Sequence, residues 1–248
     1  MRILKAMLLA AGQGTRLRQL TKNLPKPMLP VGGRPLIEHT VRQLARYGVR
    51  EIAINLHHHP EAVTDHFGDG SAYGVRIEYS YESQLLGTAG AVKKLEAFFD
   101  KSSFFVIYGD NLTTCKLDQL ARVHHEQEGL ATIALFWRQD VSPHSAVEIL
   151  PDGLITRFIE KPKLAEAPSH WISAGVLLLE SRILEYIPAD HHSDFGFDIF
   201  PRILAHREKV YGYRMGEGED LWWIDTPDDY WRICDLWKGA SHAERVDL

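Results

Sequence analysis

Apolar residues in this chain fall into two patterns, short unbroken runs and sets at helical spacing, with glycine and proline between them. The first run, Met7-Leu8-Leu9-Ala10-Ala11, predicts a buried strand over 5–10. Helical spacing over 36–47 stops at Gly48, and a second apolar run predicts a strand over 51–56. A short helix is expected over 60–67, an alternating strand over 75–81, a helix over 88–99 and an apolar strand over 104–108. A helix over 116–128 and a strand over 131–137 continue the alternation. The later part reads differently. Two runs, 146–150 and 155–160, flank Pro151-Asp152-Gly153 and predict a hairpin. Strands over 174–179, 209–213 and 221–224 and helices over 199–206 and 227–237 complete the pattern. Such alternation predicts an α/β fold: a Rossmann-like, mostly parallel mixed sheet flanked by helices, with a small β subregion added late in the chain. Ligands in such sheets bind beyond the carboxyl ends of the strands.

Composition narrows the chemistry. The chain has 248 residues, 45% hydrophobic and 25% charged, with a net charge of −5. That is a globular mixture without a basic stripe, so no nucleic-acid partner is expected and any phosphate must meet local cations. Cys115 and Cys234 form neither a metal-type pair nor a disulfide framework, which fits a reducing cytoplasm. No run approaches membrane-spanning length, the start lacks a signal-peptide pattern, and no internal repeat is visible. Residues 1–238 are expected to form one domain, with a polar tail over 239–248.

The first strand runs into Gly12-Gln13-Gly14-Thr15-Arg16, and Lys26 follows between two prolines. Glycines let a backbone approach an anion closely and turn N–H groups on it, and Arg16 and Lys26 are cations for phosphate oxygens. The string is no P-loop, and Leu17 stands where a dinucleotide fingerprint needs a third glycine. The full segment Gly12, Gly14, Thr15, Arg16, Leu17, Pro25-Lys26-Pro27-Met28-Leu29-Pro30, continued by Pro35-Leu36-Ile37-Glu38, closely resembles the signature of the sugar-1-phosphate nucleotidyltransferases. The resemblance implies a nucleotidyltransferase or glycosyltransferase-A-like fold, with 1–115 mainly nucleotide-binding. It implies that 116–238 is mainly sugar-binding and carries the second metal ligand.

Two acids end apolar strands: Asp110 after Phe104-Phe105-Val106-Ile107-Tyr108-Gly109, and Asp225 after Trp222-Trp223-Ile224. Alone, Asp110 also fits a turn and Asp225 a helix N-cap. By resemblance both are ligands of Mg²⁺, an ion that takes one or two carboxylates plus substrate phosphates. His57-His58-His59 reads as a solvated loop, because three consecutive side chains do not easily converge on one ion. The resemblance implies catalytic roles for Arg16, Lys26, Asp110 and Asp225. Nucleotide contacts are implied from Leu9, Ala11, Gly12, Gly14, Thr15, Arg16, Glu82, Gly87 and Thr88, and sugar-phosphate contacts from Asn111, Glu160, Lys161, Ser173 and Gly175.

Glu82 favours guanine, whose adjacent N1–H and N2–H suit a carboxylate as a bidentate acceptor. Thymidine and uridine nucleotides remain alternatives. In Ile172-Ser173-Ala174-Gly175-Val176, Ser173 stands where relatives have Asn, and in Ser145-Ala146-Val147 a family glycine is missing. Asp194-Phe195-Gly196-Phe197-Asp198-Ile199-Phe200-Pro201 resembles a stretch of the mannose- and heptose-1-phosphate guanylyltransferases. Glucose-, N-acetylmuramic- and cyclitol-type phosphates stay open. The expected reaction joins a nucleoside triphosphate to a sugar 1-phosphate with release of pyrophosphate. Rival readings are a glycosyltransferase, disfavoured by Asn111-Leu112 where an Asp-x-Asp motif is needed, and a non-catalytic nucleotide-sugar-binding regulatory subunit. A homo-oligomer is left open by the aromatic residues around Trp231 and Trp237.

Overall fold

The chain enters the sheet on β1 (Lys5–Leu9), whose backbone then opens into the glycine loop. Two 3-10 turns (Thr15–Thr21 and Lys26–Met28) and a small hairpin of β2 (Pro30–Val31) and β3 (Arg34–Pro35) lead to α1 (Leu36–Arg46). Next come β4 (Glu51–Leu56), α2 (Pro60–Phe67), β5 (Arg76–Tyr81), α3 (Gly87–Lys94), α4 (Glu96–Phe99) and β6 (Phe104–Tyr108). β6, β1, β4 and β5 lie side by side in that order, all parallel. This computed structural model describes residues 3–239; the tail foreseen over 239–248 lies, from 240 on, outside the described residues.

The second half adds β7 (Asn111–Thr113), α5 (Leu117–Gln127), β8 (Ala131–Trp137), and a hairpin of β9 (Ser145–Ile149) and β10 (Ile155–Glu160). β11 (Trp171–Leu179), a π-helical turn (Phe195–Ile199), α6 (Phe200–Ala205), β12 (Val210–Arg214), β13 (Leu221–Trp223) and α7 (Pro227–Gly239) follow. β11 is the seam between the halves. Val176–Leu179 pairs antiparallel with β6, while Ile172 on the same strand pairs with Ala146 of β9. β8 lies along both stretches of β11 and pairs in parallel with β12. A bridge from Leu154 to Tyr211 brings the hairpin back onto β12, so these strands curl into the expected β subregion. The sheet therefore parts where β6 ends and β9 begins.

Alternation along the parallel strands builds two cores. Leu8, Ile52, Ile54, Phe105 and Ile107 face one side, with Ile37, Val41 and Leu44 of α1. Met7, Ala53, Phe104 and Val106 face the other, with Val92 of α3, Phe99 of α4 and Ile203 of α6. A third cluster, including Leu17, Leu29, Val31, Leu112, Ile224 and Trp237, lies behind the glycine loop and anchors α7. Trp237 is buried there, whereas Trp231 is exposed.

Local differences from expectation have physical causes. The helix over 88–99 is two helices, because Leu95 leaves helical geometry (φ −103°, ψ 22°) and lets Phe98 and Phe99 turn into the core. The strand expected over 174–179 begins at Trp171, since its polar Ser173 faces a cavity rather than ending the pairing. The helix expected over 199–206 is α6, with the π-helical turn before it.

Candidate active site

Gly14 takes a left-handed conformation (φ 59°), and a Cβ on it would lie 3.0 Å from Lys26 Cβ. The glycine loop and the Pro25-Lys26-Pro27 segment thus pack without a side chain between them. The Gly109 N–H donates to Leu9 C=O at 2.9 Å, so Asp110 emerges beside the end of β1. β13 pairs with β7, opposing Trp223 to Asn111, which carries Asp225 to the same place from the far end of the chain.

The four charged groups meet. Lys26 Nζ donates to Asp110 Oδ2 at 2.8 Å and to Asp225 Oδ1 at 3.3 Å, and Arg16 NH2 donates to Asp225 Oδ1 at 2.9 Å. The Lys26 side chain is only 6% exposed, against 41% for Asp110 and 23% for Asp225, so the acids open on the crevice and the ammonium lies beneath them. Two hard carboxylate oxygens at a phosphate-sized crevice are a donor set suited to Mg²⁺. The ammonium bound to both stands where positive charge is needed. Among the described residues no group of three or more His, Cys, Asp or Glu gathers to hold a metal. The rings of His57 and His59 instead face the carbonyls of Glu82 and Lys22, at 2.7 and 3.3 Å.

Two cavities adjoin at this cluster. The first, about 400 Å³, is lined by Leu9, Ala11, Gly12, Gly14, Thr15, Arg16, Glu82, Gly87 and Thr88, the full set expected for a nucleotide. The second, about 230 Å³, is lined by Asn111, Glu160, Lys161, Ser173 and Gly175, the full set expected for a sugar phosphate. Arg16, Tyr108, Asp110, Asp194 and Asp225 line both.

Glu82 is buried, just past the carboxyl end of β5. Its Oε1 accepts from Asn55 Nδ2 at 2.8 Å and its Oε2 from Leu86 N–H at 2.9 Å, while Asn55 Oδ1 accepts from Ala10 N–H at 2.8 Å. Each carboxylate oxygen keeps a further lone pair for the cavity. The Thr88 hydroxyl is taken up by protein partners: it donates to Asp194 Oδ2 at 2.8 Å and accepts from Phe195 N–H at 2.9 Å.

In the second cavity, Glu160 bonds Ser145 Oγ, and burial, with Asp194 adding to it, raises its carboxyl above the usual range. Lys161 holds a left-handed backbone (φ 48°) without being glycine. Gly175 (φ 70°) packs directly on the Tyr108 ring, which a Cβ would approach to 3.1 Å. The His144 ring lies against Trp223, tilted by 37° with centroids 4.4 Å apart, and burial first, then Arg138, pushes its pKa down to about 4.

Asn55, Tyr108, His144 and His192 line the cavities without having been foreseen. Asn55 carried a signal: it is a polar residue near the carboxyl end of the apolar β4 run. His144 and His192 sit in irregular segments where no periodicity points inward.

The chain's residues 5–237 match the family model described as nucleotidyl transferase. It is 34% identical over 244 residues to a UTP–glucose-1-phosphate uridylyltransferase of Synechocystis, covering 92% of this chain and 62% of that protein. It is 32% identical to a mannose-1-phosphate guanylyltransferase of Mycobacterium tuberculosis, covering 95% of this chain and 65% of that protein. The chain thus spans just under two thirds of the length of these relatives. HddC from Yersinia pseudotuberculosis, solved in complex with GMP-PN, shares the fold at a TM-score of 0.78 and 23% identity, covering 95% of this chain and all of that one. By the family match and the identities to its members, the chain belongs to the nucleotidyl transferase family.

Proposed function

We propose that this chain is a sugar-1-phosphate nucleotidyltransferase that takes GTP and a mannose- or heptose-like sugar 1-phosphate, giving a nucleotide-diphosphate sugar and pyrophosphate. The observation that carries the reading is the meeting of two cavities at one cluster of Arg16, Lys26, Asp110 and Asp225.

The nucleophile is a phosphate oxygen, already anionic, so no general base is required. The difficulty is to align several negative charges, and positioning with electrostatic stabilisation carries the catalysis. Arg16 faces the leaving pyrophosphate, Lys26 the phosphate at the reacting centre, and Lys161 the incoming sugar phosphate. Enzymes of this family generally use a divalent metal. Asp110 and Asp225 would hold Mg²⁺, which supplies charge neutralisation at the phosphates when bound. The first cavity receives the base, with the free lone pairs of Glu82 accepting the two donors of guanine. Glu160 receives sugar hydroxyls, and Asn111, Ser173 and Gly175 complete that wall. The division of labour follows the chain, 1–115 for nucleotide and 116–238 for sugar. With two free thiols and no described helix long and apolar enough to cross a membrane, we place the reaction in the cytoplasm.

A uridylyltransferase is the second reading, favoured by the name of the Synechocystis relative. A pyrophosphate-release screen of five nucleoside triphosphates against a panel of sugar 1-phosphates separates the two. Release with GTP and mannose 1-phosphate is expected. Release with UTP alone overturns the base assignment. Nucleotide-sugar binding in calorimetry without any release would identify a regulatory subunit instead.

A further inference from the structure

One carboxylate stands between the two cavities and bonds toward both. Asp194 Oδ2 accepts from the Thr88 hydroxyl at 2.8 Å, in the first turn of α3. Asp194 Oδ1 accepts from Gly196 N–H at 2.9 Å and Phe197 N–H at 3.4 Å, which caps the π-helical turn on the other side. Thr88 closes the loop by accepting from Phe195 N–H at 2.9 Å. Beside this pair the backbones are clasped. Ser193 C=O accepts from the N–H groups of Ala89 and Gly90 at 2.9 and 3.1 Å, and Ser193 N–H donates to Leu86 C=O at 2.9 Å.

The clasp leaves no room for slack. A Cβ on Gly87, itself at φ 75°, would lie 2.4 Å from Ser193 O. At the far end of the path, a Cβ on Gly196 would lie 2.2 Å from Glu160 Oε2. A continuous line of contact therefore runs from α3, at the wall of the first cavity, through Asp194 to Gly196 and the Glu160 wall of the second. The turn it caps is a π-helical one, a rare conformation found frequently at functional sites. Close-packed elements with few alternative arrangements transmit a shift instead of absorbing it.

We infer that Thr88 and Asp194 are positioning residues that couple the two cavities: nucleotide held against the start of α3 fixes the 195–199 turn, and through it the Glu160 wall. The inference rests on the nucleotide reading of the first cavity given above. A clasp that only held the fold together would order 195–199 equally with and without nucleotide.

Hydrogen–deuterium exchange on the full chain tests this, with α,β-methylene-GTP and α,β-methylene-UTP, each with Mg²⁺, as probes. In the wild type, nucleotide should slow exchange over 9–16 and also over 195–199, the latter by about 5-fold or more. Thr88→Val removes the hydroxyl at nearly constant volume. With each variant saturated by nucleotide, whatever its affinity, the slowing over 195–199 should be lost relative to that over 9–16, and Thr88→Ser should restore it. Asp194→Asn, which keeps an acceptor for the cap but turns an N–H on Thr88, should lose it as well and serves if Thr88→Val does not fold. Nucleotide-dependent slowing over 195–199 that survives in the variants overturns the link. So does slowing confined to 9–16 in the wild type. If neither probe slows 9–16, the nucleotide reading itself falls and the link with it.

Discussion

Lys26 is the cation on which both candidate metal acids converge. Its ammonium is nearly buried and bonded to two carboxylates that themselves face the crevice. On the proposed function, an incoming triphosphate would bring negative charge toward the same cation, and Asp110 and Asp225 would be free to hold Mg²⁺. Removing the ammonium therefore weakens the site at the step where phosphate charge builds up. Lys26→Ala should lower kcat by about 10²–10³, the scale of one lost preorganised donor, with pyrophosphate release and a thermal melt separating catalysis from folding. Near-normal turnover would remove Lys26 from the mechanism. Glu82 carries a second prediction at this scale. Glu82→Gln replaces one acceptor oxygen with an amide NH2 and brings that donor against Asn55 Nδ2 or Leu86 N–H. A lost hydrogen bond to a charged group is worth about 1.5–3 kcal/mol, so kcat/KM for GTP should fall roughly 10- to 100-fold. UTP should be affected less, and an equal loss for both would show that Glu82 does not read the base.

The elements differ in how far the chain alone reveals them. β4, α2, β6 and β8 have the bounds that their apolar runs and breakers dictate, because local pattern and punctuation set where each begins and ends whichever strand it pairs with. The pairing of β7 with β13 leaves no such trace. It joins three residues on each side across half the chain, yet it sets Asp225 beside Asp110. The motif resemblance brought those acids together where periodicity did not. The Thr88–Asp194 contact depends on which strand ends and loops meet, so it is not legible either, whereas Asn55 shows only as a polar residue near the end of the apolar β4 run. The third core carries a prediction for an element. Gly32 sits at φ 60°, and a Cβ there would lie 2.1 Å from the Trp237 ring, which holds α7 and the strand end bearing Asp225. Gly32→Ala combines overpacking with left-handed strain and should cost about 1–3 kcal/mol. That corresponds to a fall in Tm of roughly 2–10 °C, whereas Trp231→Ala, on the exposed side of the same helix, should change Tm little. Equal melts for the two variants would mean that α7 is not anchored through this contact.

At the level of the whole molecule, burial of histidine links folding to pH. His39, His124 and His144 are each held below the ordinary imidazole range by burial, His144 at about 4. His124, on the buried face of α5, shows the balance: Thr132 Oγ1 lies 2.8 Å from one ring nitrogen and Glu180 Oε1 2.9 Å from the other, and although that carboxylate favours the charged ring, burial outweighs it. An unfolded chain takes up these protons near pH 6.5, and the folded chain takes them up only at lower pH. Between those values the unfolded state binds more protons, so stability rises with pH there. The contribution is complete above about pH 6.5; that of His144 is lost as pH falls toward about 4, and those of His39 and His124 are lost as pH falls through their own lowered values. Glu160 works in the opposite sense, since burial raises its carboxyl and favours the folded state on the acid side, but it is one group against three. Tm should therefore decline steadily from pH 7 to pH 5, before most carboxylates titrate. His124→Gln, which keeps a polar side chain at the site without the titration, should flatten part of that decline even if it lowers Tm at neutral pH. A Tm that stays level from pH 7 to pH 5 would mean that these imidazoles are not held neutral by the fold.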